Sequence, residues 1–231
     1  MENNNPTHIA IILDGNRRFA KSKMLEPWKG HEIGTTAVEN LFDYSRELGI
    51  KQLTLYVLST ENLKRDKKEV DYILNLMRTE FKKLSEPKEF EKIKNKIKIR
   101  FIGNLDLLPV DLKKICLDLE FKTSENSEYL INFALAYNGK QEIIRAIKNI
   151  IRKGTTPEEV NEKLIQDNLY LENEPELIIR TGGEIRTSGF LPWQSTYSEW
   201  FFLDKLWPEF NKEDLIQILE DFKKRKRNFG K

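Results

Sequence analysis

Five apolar residues stand in a row near the start of the chain, Ile9-Ala10-Ile11-Ile12-Leu13, and a turn sequence, Asp14-Gly15-Asn16, follows at once. A strand with one wet face alternates apolar and polar side chains. An unbroken apolar run of this length is instead the mark of a strand covered on both faces. Such strands belong to parallel sheets with helices above and below.

The remaining sequence supplies the parts of that arrangement. Gln52–Leu58, Ile97–Ile102, Tyr129–Ala136 and Glu176–Ile179 read as further strands, and Trp200–Leu203 as a last, short one. Helical stretches lie between them. Glu32–Leu48 stops at Gly49, and Glu69–Leu84 places Ile73, Met77, Phe81 and Leu84 at helical spacing. Val110–Phe121 and Gln141–Arg152 are two more, while the charged stretch Ser85–Lys96 reads as a solvated connection. Thr156-Pro157-Glu158-Glu159 spells a capping box, and Asn211 is placed to cap a final helix with Leu215, Ile218, Leu219 and Phe222 on its apolar face. Alternation of this kind predicts an α/β fold, one domain over residues 1–231, with a mostly parallel central sheet flanked by helices. In such folds ligands bind outside the carboxyl ends of the strands.

Composition narrows the function. Charged residues make up 33% of the chain, but the signs nearly cancel to a net +2. A general nucleic-acid binder is more one-sidedly basic, so no nucleic-acid partner is expected. The basic run Lys223–Arg227 sits where it complements a helix dipole. A lone cysteine, Cys116, fits a reducing compartment. The start of the chain has no basic segment of a secretory leader, and no stretch approaches the ~18 apolar residues of a membrane span. The expectation is a soluble, cytoplasmic protein.

Chemistry concentrates after the strands. Asp14-Gly15-Asn16-Arg17-Arg18 follows the first one. Gly15 lets the backbone turn sharply, and two arginines at a helix start suit phosphate oxygens. An aspartate beside a phosphate repels it unless a divalent cation lies between, and magnesium does this with one or two carboxylates plus phosphate oxygens. A second cluster follows Ile179: Arg180-Thr181-Gly182-Gly183-Glu184, then Arg186-Thr187-Ser188. Its glycines can form a backbone concavity for a second anion. The plain alternative for each cluster is a turn with solvated ion pairs; two clusters at strand ends favour an enzyme that takes a diphosphate at each. The second strand runs into Ser59-Thr60-Glu61-Asn62-Leu63-Lys64-Arg65 on the same sheet edge. His31 is a further phosphate candidate. Glu199, among Tyr197, Trp200 and Phe201, needs an arginine or a metal as partner.

Taken together, these residues resemble the undecaprenyl diphosphate synthase, or cis-prenyltransferase, family. His8 to Arg18 with Gly30-His31 is similar to its first signature, and Leu53–Tyr56 with Ser59–Asn62 and Arg65 to its second. Ala136–Gly139, Ile179–Glu184, Arg186, Ser188, Trp193-Gln194, Glu199 and Leu206–Glu209 are similar to the later ones, in family order over nearly the whole chain. The resemblance implies an α/β fold with an apolar tunnel for a growing prenyl chain, a homodimer, and Mg2+ as cofactor. It implies condensation of isopentenyl diphosphate with an allylic prenyl diphosphate, farnesyl or geranylgeranyl, to a polycis-polyprenyl diphosphate of undecaprenyl type, delivered to the inner face of a membrane. Asp14 would hold magnesium, with Glu199 offered across the dimer. Gly15, Asn16, Arg17, Arg18, Phe19 and His31 would hold the allylic diphosphate. Arg180, Arg186, Thr187 and Ser188 would hold isopentenyl diphosphate. Asn62 would assist proton removal, with Ser59, Thr60, Glu61, Leu63 and Arg65 around it. Val57 and Ile131 fall near positions that limit chain length.

Some positions depart from the family pattern. Phe19 and Leu63 stand where tryptophan is common, Pro27 where a phosphate-binding arginine is, and Asn228 where an arginine is expected. Arg17 replaces a glycine of many bacterial members. Two alternatives go with the resemblance, a non-catalytic partner subunit and a short-chain synthase. Such subunits lack the magnesium carboxylate, whereas Asp14 is present. No Asp-Asp pair occurs, which excludes the trans-prenyltransferase motifs, and there is neither a GxxxxGK[ST] loop nor a GxGxxG.

Overall fold

The computed structural model describes residues 5–93 and 96–226. Six strands, β1 (His8–Ile12), β2 (Gln52–Tyr56), β3 (Ile97–Ile102), β4 (Tyr129–Ala134), β5 (Leu177–Arg180) and β6 (Glu199–Phe202), form one sheet in the order β3-β4-β2-β1-β5-β6. Every neighbouring pair is parallel. The helices are α1 (Asn16–Ser22), α2 (Lys29–Glu47), α3 (Lys67–Ser85), α4 (Pro87–Ile93), α5 (Val110–Lys122), α6 (Gly139–Arg152), α7 (Glu162–Gln166) and α8 (Lys212–Lys224).

All of β1 is buried, as its unbroken apolar run requires. Ile9 and Ile11 face a core built with α2, α3, α5 and α8, while Ala10 and Ile12 face a smaller cluster with Tyr56, Tyr137, Phe190 and Leu191. The second face is more polar. Glu142 of α6 is buried and accepts from Tyr137 Oη, the Tyr170 amide and Gln194 Nε2, so a carboxylate is fully used to tie α6 to two loops. Asn211 caps α8 by accepting from the Asp214 amide.

The stretch after Ser85 is not wholly a solvated connection, because residues 87–93 form α4. Pro87 suits the first turn of a helix, and Phe90 and Ile93, one turn apart, pack on the main core. Their signal is hidden among surrounding charges. Residues 94 and 95 of that stretch, and Arg227 to Gly230 of the basic tail with Asn228, lie outside the described residues.

The order of strands positions the site. From β1 the chain steps to β2 on one side, and β5 later enters on the other. Opposite-going connections leave a crevice outside the carboxyl ends of β1 and β5. α1 and α2 close over it, and their contact is tight: a Cβ on Gly30 would lie 1.9 Å from the Asn16 carbonyl oxygen. Gly30→Ala should therefore lower stability by about 1–3 kcal/mol. Calorimetry tests this, and an unchanged melting temperature would mean that the two helices are not held this closely.

Candidate active site

Asp14 stands just beyond the end of β1, and its backbone is clamped. Its carbonyl accepts from Thr181 Oγ1 at 2.7 Å and from the Trp207 amide at 3.0 Å. Gly15 follows with φ 113°, and a Cβ there would lie 2.9 Å from Leu206 Cα. Only glycine meets both demands. The Asp14 carboxylate meets Arg180 Nη2 at 2.8 Å and Arg18 Nη2 at 3.3 Å. Arg180, the last residue of β5, is only 3% exposed. Its Nη1 donates to the Arg186 carbonyl at 2.5 Å and to Ser188 Oγ at 2.8 Å, while its buried Nε has no partner. The two anion clusters of the sequence are thus one site, with Arg180 as the link.

A second group of charges forms beside it. Glu69 of α3, a buried carboxylate, meets Arg65 Nη1 at 3.0 Å and Arg17 Nε at 3.6 Å. His31 of α2 is close by. Burial first, then the guanidinium groups of Arg65 and Arg17, push its imidazole down to about 4. Its Nε2 is buried and unpartnered, as is Asn16 Oδ1. Asn62 Oδ1 accepts from the Ser59 amide at 3.0 Å, and Ser59 Oγ accepts from the Asn62 amide at 3.1 Å. Its carboxamide is therefore oriented with the oxygen occupied. Burial would raise the Glu61 carboxyl, but hydrogen bonds from its own backbone, Ser59, Asn138 and Thr60 hold it below the usual range.

These groups open onto a cavity of about 1380 Å³. Asp14, Gly15, Asn16, Arg17, Arg18, His31, Ser59, Glu61, Asn62, Arg65, Arg180, Arg186 and Ser188 all line it. Pro27 lines it too, where the family pattern puts an arginine. Away from this polar mouth the walls turn apolar, with Val38 and Phe42 of α2, Ile73, Met77 and Phe81 of α3, and Val57 and Phe133 from the sheet. Along their outer edges α2 and α3 are joined by polar contacts, Tyr72 Oη to Glu32 at 2.7 Å and Lys83 Nζ to Glu39 at 2.7 Å.

Other expected residues are placed elsewhere. Phe19, Thr60, Leu63 and Thr187 do not line the cavity; Leu63 packs on the core, and Phe19 lies under Lys23 Nζ. Glu199 begins β6, in register with Leu177 and Ile9, so it sits a strand's length from Asp14 in the same chain. Its carboxylate meets Arg225 at 2.6 Å. Ile131 is core, and Phe133, two residues on, is the side chain of β4 that reaches the cavity. The apolar wall was missed because a helical stripe such as Ile73, Met77 and Phe81 reads as core whether it faces a protein or a void. Among the described residues no three His, Cys, Asp or Glu side chains converge as a metal site, and no helix is long and apolar enough to cross a membrane.

A family model described as putative undecaprenyl diphosphate synthase matches residues 12–230. The chain belongs to that family. It is 42% identical, over 98% of its length and 85% of the relative's, to a protein of Methanopyrus kandleri named tritrans,polycis-undecaprenyl-diphosphate synthase (geranylgeranyl-diphosphate specific). Its fold matches the crystal structure of lavandulyl diphosphate synthase from Lavandula x intermedia in complex with dimethylallyl diphosphate. The TM-score is 0.91 and the identity 31%, over 98% of this chain and 99% of that one. It also matches a probable undecaprenyl diphosphate synthase from Campylobacter jejuni, with TM-score 0.83 and 33% identity over 99% and 100% of the two chains. Like these synthases, the chain is a prenyl transferase of α/β fold.

The buried histidines make stability depend on pH. Burial pushes His8 down to about 3, beside the value of about 4 for His31. Folded values below the unfolded one mean that, between them, the unfolded chain binds the extra protons. Stability is then complete above about pH 6.5 and is lost as pH falls toward the folded values. Between pH 7 and 5.5, above most carboxylate titration, His31→Gln should remove roughly 1 kcal/mol of this loss. Urea midpoints across that range test it; a variant with the wild-type pH slope would show that His31 is not held neutral.

Proposed function

We propose that the chain condenses isopentenyl diphosphate with an allylic prenyl diphosphate, geranylgeranyl diphosphate in preference, to give a long-chain polycis-polyprenyl diphosphate. One observation carries this reading: Asp14 stands between Arg18 and Arg180 at the polar mouth of a cavity whose interior is apolar. A diphosphate suits the mouth and a hydrocarbon tail suits the interior, which we read as the tunnel for the growing chain. The specificity in the name of the Methanopyrus kandleri relative supports geranylgeranyl as the starter.

The donor set fits a magnesium ion. Asp14 is a cavity-facing carboxylate held by arginines alone, so its oxygens can exchange those cations for a metal whose remaining ligands are diphosphate oxygens and water. When bound, magnesium would neutralise charge on the departing diphosphate. Arg17, Arg18 and the neutral His31, whose Nε2 lacks a partner, bind and orient the allylic diphosphate. Arg186 and Ser188 take that of isopentenyl diphosphate, and Arg180 holds Asp14 and the 186–188 loop in place for both. An amide is too weak a base to take the proton, and Asn62 Oδ1 already accepts from the Ser59 amide. Asn62 presents Nδ2 as a donor, so proton removal runs through a phosphate oxygen that it positions.

Glu199 can join such a site only from a second copy. The exposed stripe Ile144, Ile147 and Ile151 on α6 and the free edge of β6 are the surfaces that a homodimer would cover. Asp14→Ala should lower kcat by about a hundredfold or more while leaving KM within a few-fold. Mixing inactive Asp14→Ala and Glu199→Ala chains should restore activity, because one site of each hybrid keeps both carboxylates. Mixtures as inactive as their parts would exclude a shared site.

The cavity wall sets the product ladder in this reading. With labelled isopentenyl diphosphate and a panel of starters, mass spectrometry should show shorter products for Val57→Phe and longer ones for Phe133→Ala. Leu58→Ala should leave the ladder alone and lose about 2–5 kcal/mol of stability, since Leu58 is core. Unchanged ladders in folded Val57 and Phe133 variants would place the limit elsewhere.

A further inference from the structure

We propose that the turn between α1 and α2 docks on an anionic lipid surface, with Met24 as its apolar tip. This deepens the reading above, since it supposes a lipid product. α1 ends in a defined motif. The Met24 amide donates to the Lys21 carbonyl at 3.1 Å and the Leu25 amide to the Ala20 carbonyl at 2.9 Å. That pair of bonds puts the residue between them in the left-handed region, where glycine is the ordinary occupant. Here the residue is Met24, with φ 56°. A side chain is thus retained at a backbone cost, and it makes no use of the protein's interior, being 97% exposed. Strained backbone kept with no gain in packing points to a role outside the fold.

The surroundings identify the partner. Lys21 and Lys23 flank the tip, both exposed and without a carboxylate partner among the described residues. Lys29 and Glu32 engage each other at 3.1 Å, which leaves Glu26 as the turn's one carboxylate that is not engaged in this way. An exposed apolar tip flanked by two lysines without carboxylate partners matches the boundary of a bilayer with anionic headgroups. The place is also apt. Lys21, Leu25 and Pro27 line the mouth of the cavity, so the turn would set that mouth against the membrane which receives the product.

The test uses the whole ligand-free chain and vesicles of phosphatidylcholine, alone or with an equal part of phosphatidylglycerol. Wild type should sediment with the anionic vesicles and less with the neutral ones. Lys23→Glu should lower partition about fivefold, and added salt should do likewise. Met24→Gly is the discriminating variant: it should lower partition about tenfold while the melting temperature holds or rises, because glycine suits the turn. Wild type left in solution with anionic vesicles would overturn the proposal, as would a Met24→Gly variant that partitions like wild type. Turnover of geranylgeranyl and isopentenyl diphosphates in detergent should be equal in all three proteins. A wild type that partitions but shows no turnover would count against the prenyl-transfer reading and not against the surface.

Discussion

The contact between Asp14 and Arg180 is the one on which the site depends. A guanidinium this buried must have its charge answered, and removal of Asp14 strands it, whereas Asp14 is partly exposed and keeps Arg18. Arg180 ends β5 and Asp14 follows β1, so the ion pair joins the two strands at the point where the order of the sheet reverses. The same guanidinium holds the 186–188 loop through a carbonyl and a hydroxyl. Glycines accommodate the crowding: a Cβ on Gly182 would lie 2.5 Å from Arg18 Nη2. This edge of the sheet is therefore held together by the protein's own groups, with Arg18 and Arg180 both turned toward the Asp14 carboxylate.

Much of this was legible in the sequence because the physics is local. The apolar run Ile9–Leu13 is satisfied only inside a two-sided sheet, and Ile97–Ile102 was bounded to the residue because it carries no competing signal. The polar groups that follow the strand ends line one cavity at that edge of the sheet. The reading fell short where the answer depends on what lies across a space. Ile131 and Phe133 share a face of β4, and only packing against α2 and α3 decides that the second of them meets a void. α4 escaped because two apolar residues in a charged segment are too few to declare a helix.

Arg180 shows a subtler limit. Its residue type and position suggested a direct grip on a substrate. In the fold most of its donors are spent on the protein, and the arginines with exposure to offer are Arg17, Arg18 and Arg186. Asn62 is similar: a carboxamide near a reaction site invites a chemical role, yet hydrogen bonding to Ser59 fixes what it can present. Sequence identifies the groups; their remaining valence is a property of the structure.

The two sides of the cavity differ in mechanical character. Its floor is the sheet, where β2 and β4 are hydrogen-bonded along their length and Phe133 packs edge-on against Phe42 and Phe81. Its outer seam is spanned by solvent-facing contacts between α2 and α3, Glu32 with Tyr72 and Glu39 with Lys83, each of a kind worth about 1 kcal/mol or less. A seam held this lightly parts at a small fraction of the global unfolding free energy. The enclosure is therefore a packed vessel with one compliant edge, and a guest that changes size during its stay is accommodated by parting of that edge, with the sheet that aligns its reacting end left undisturbed.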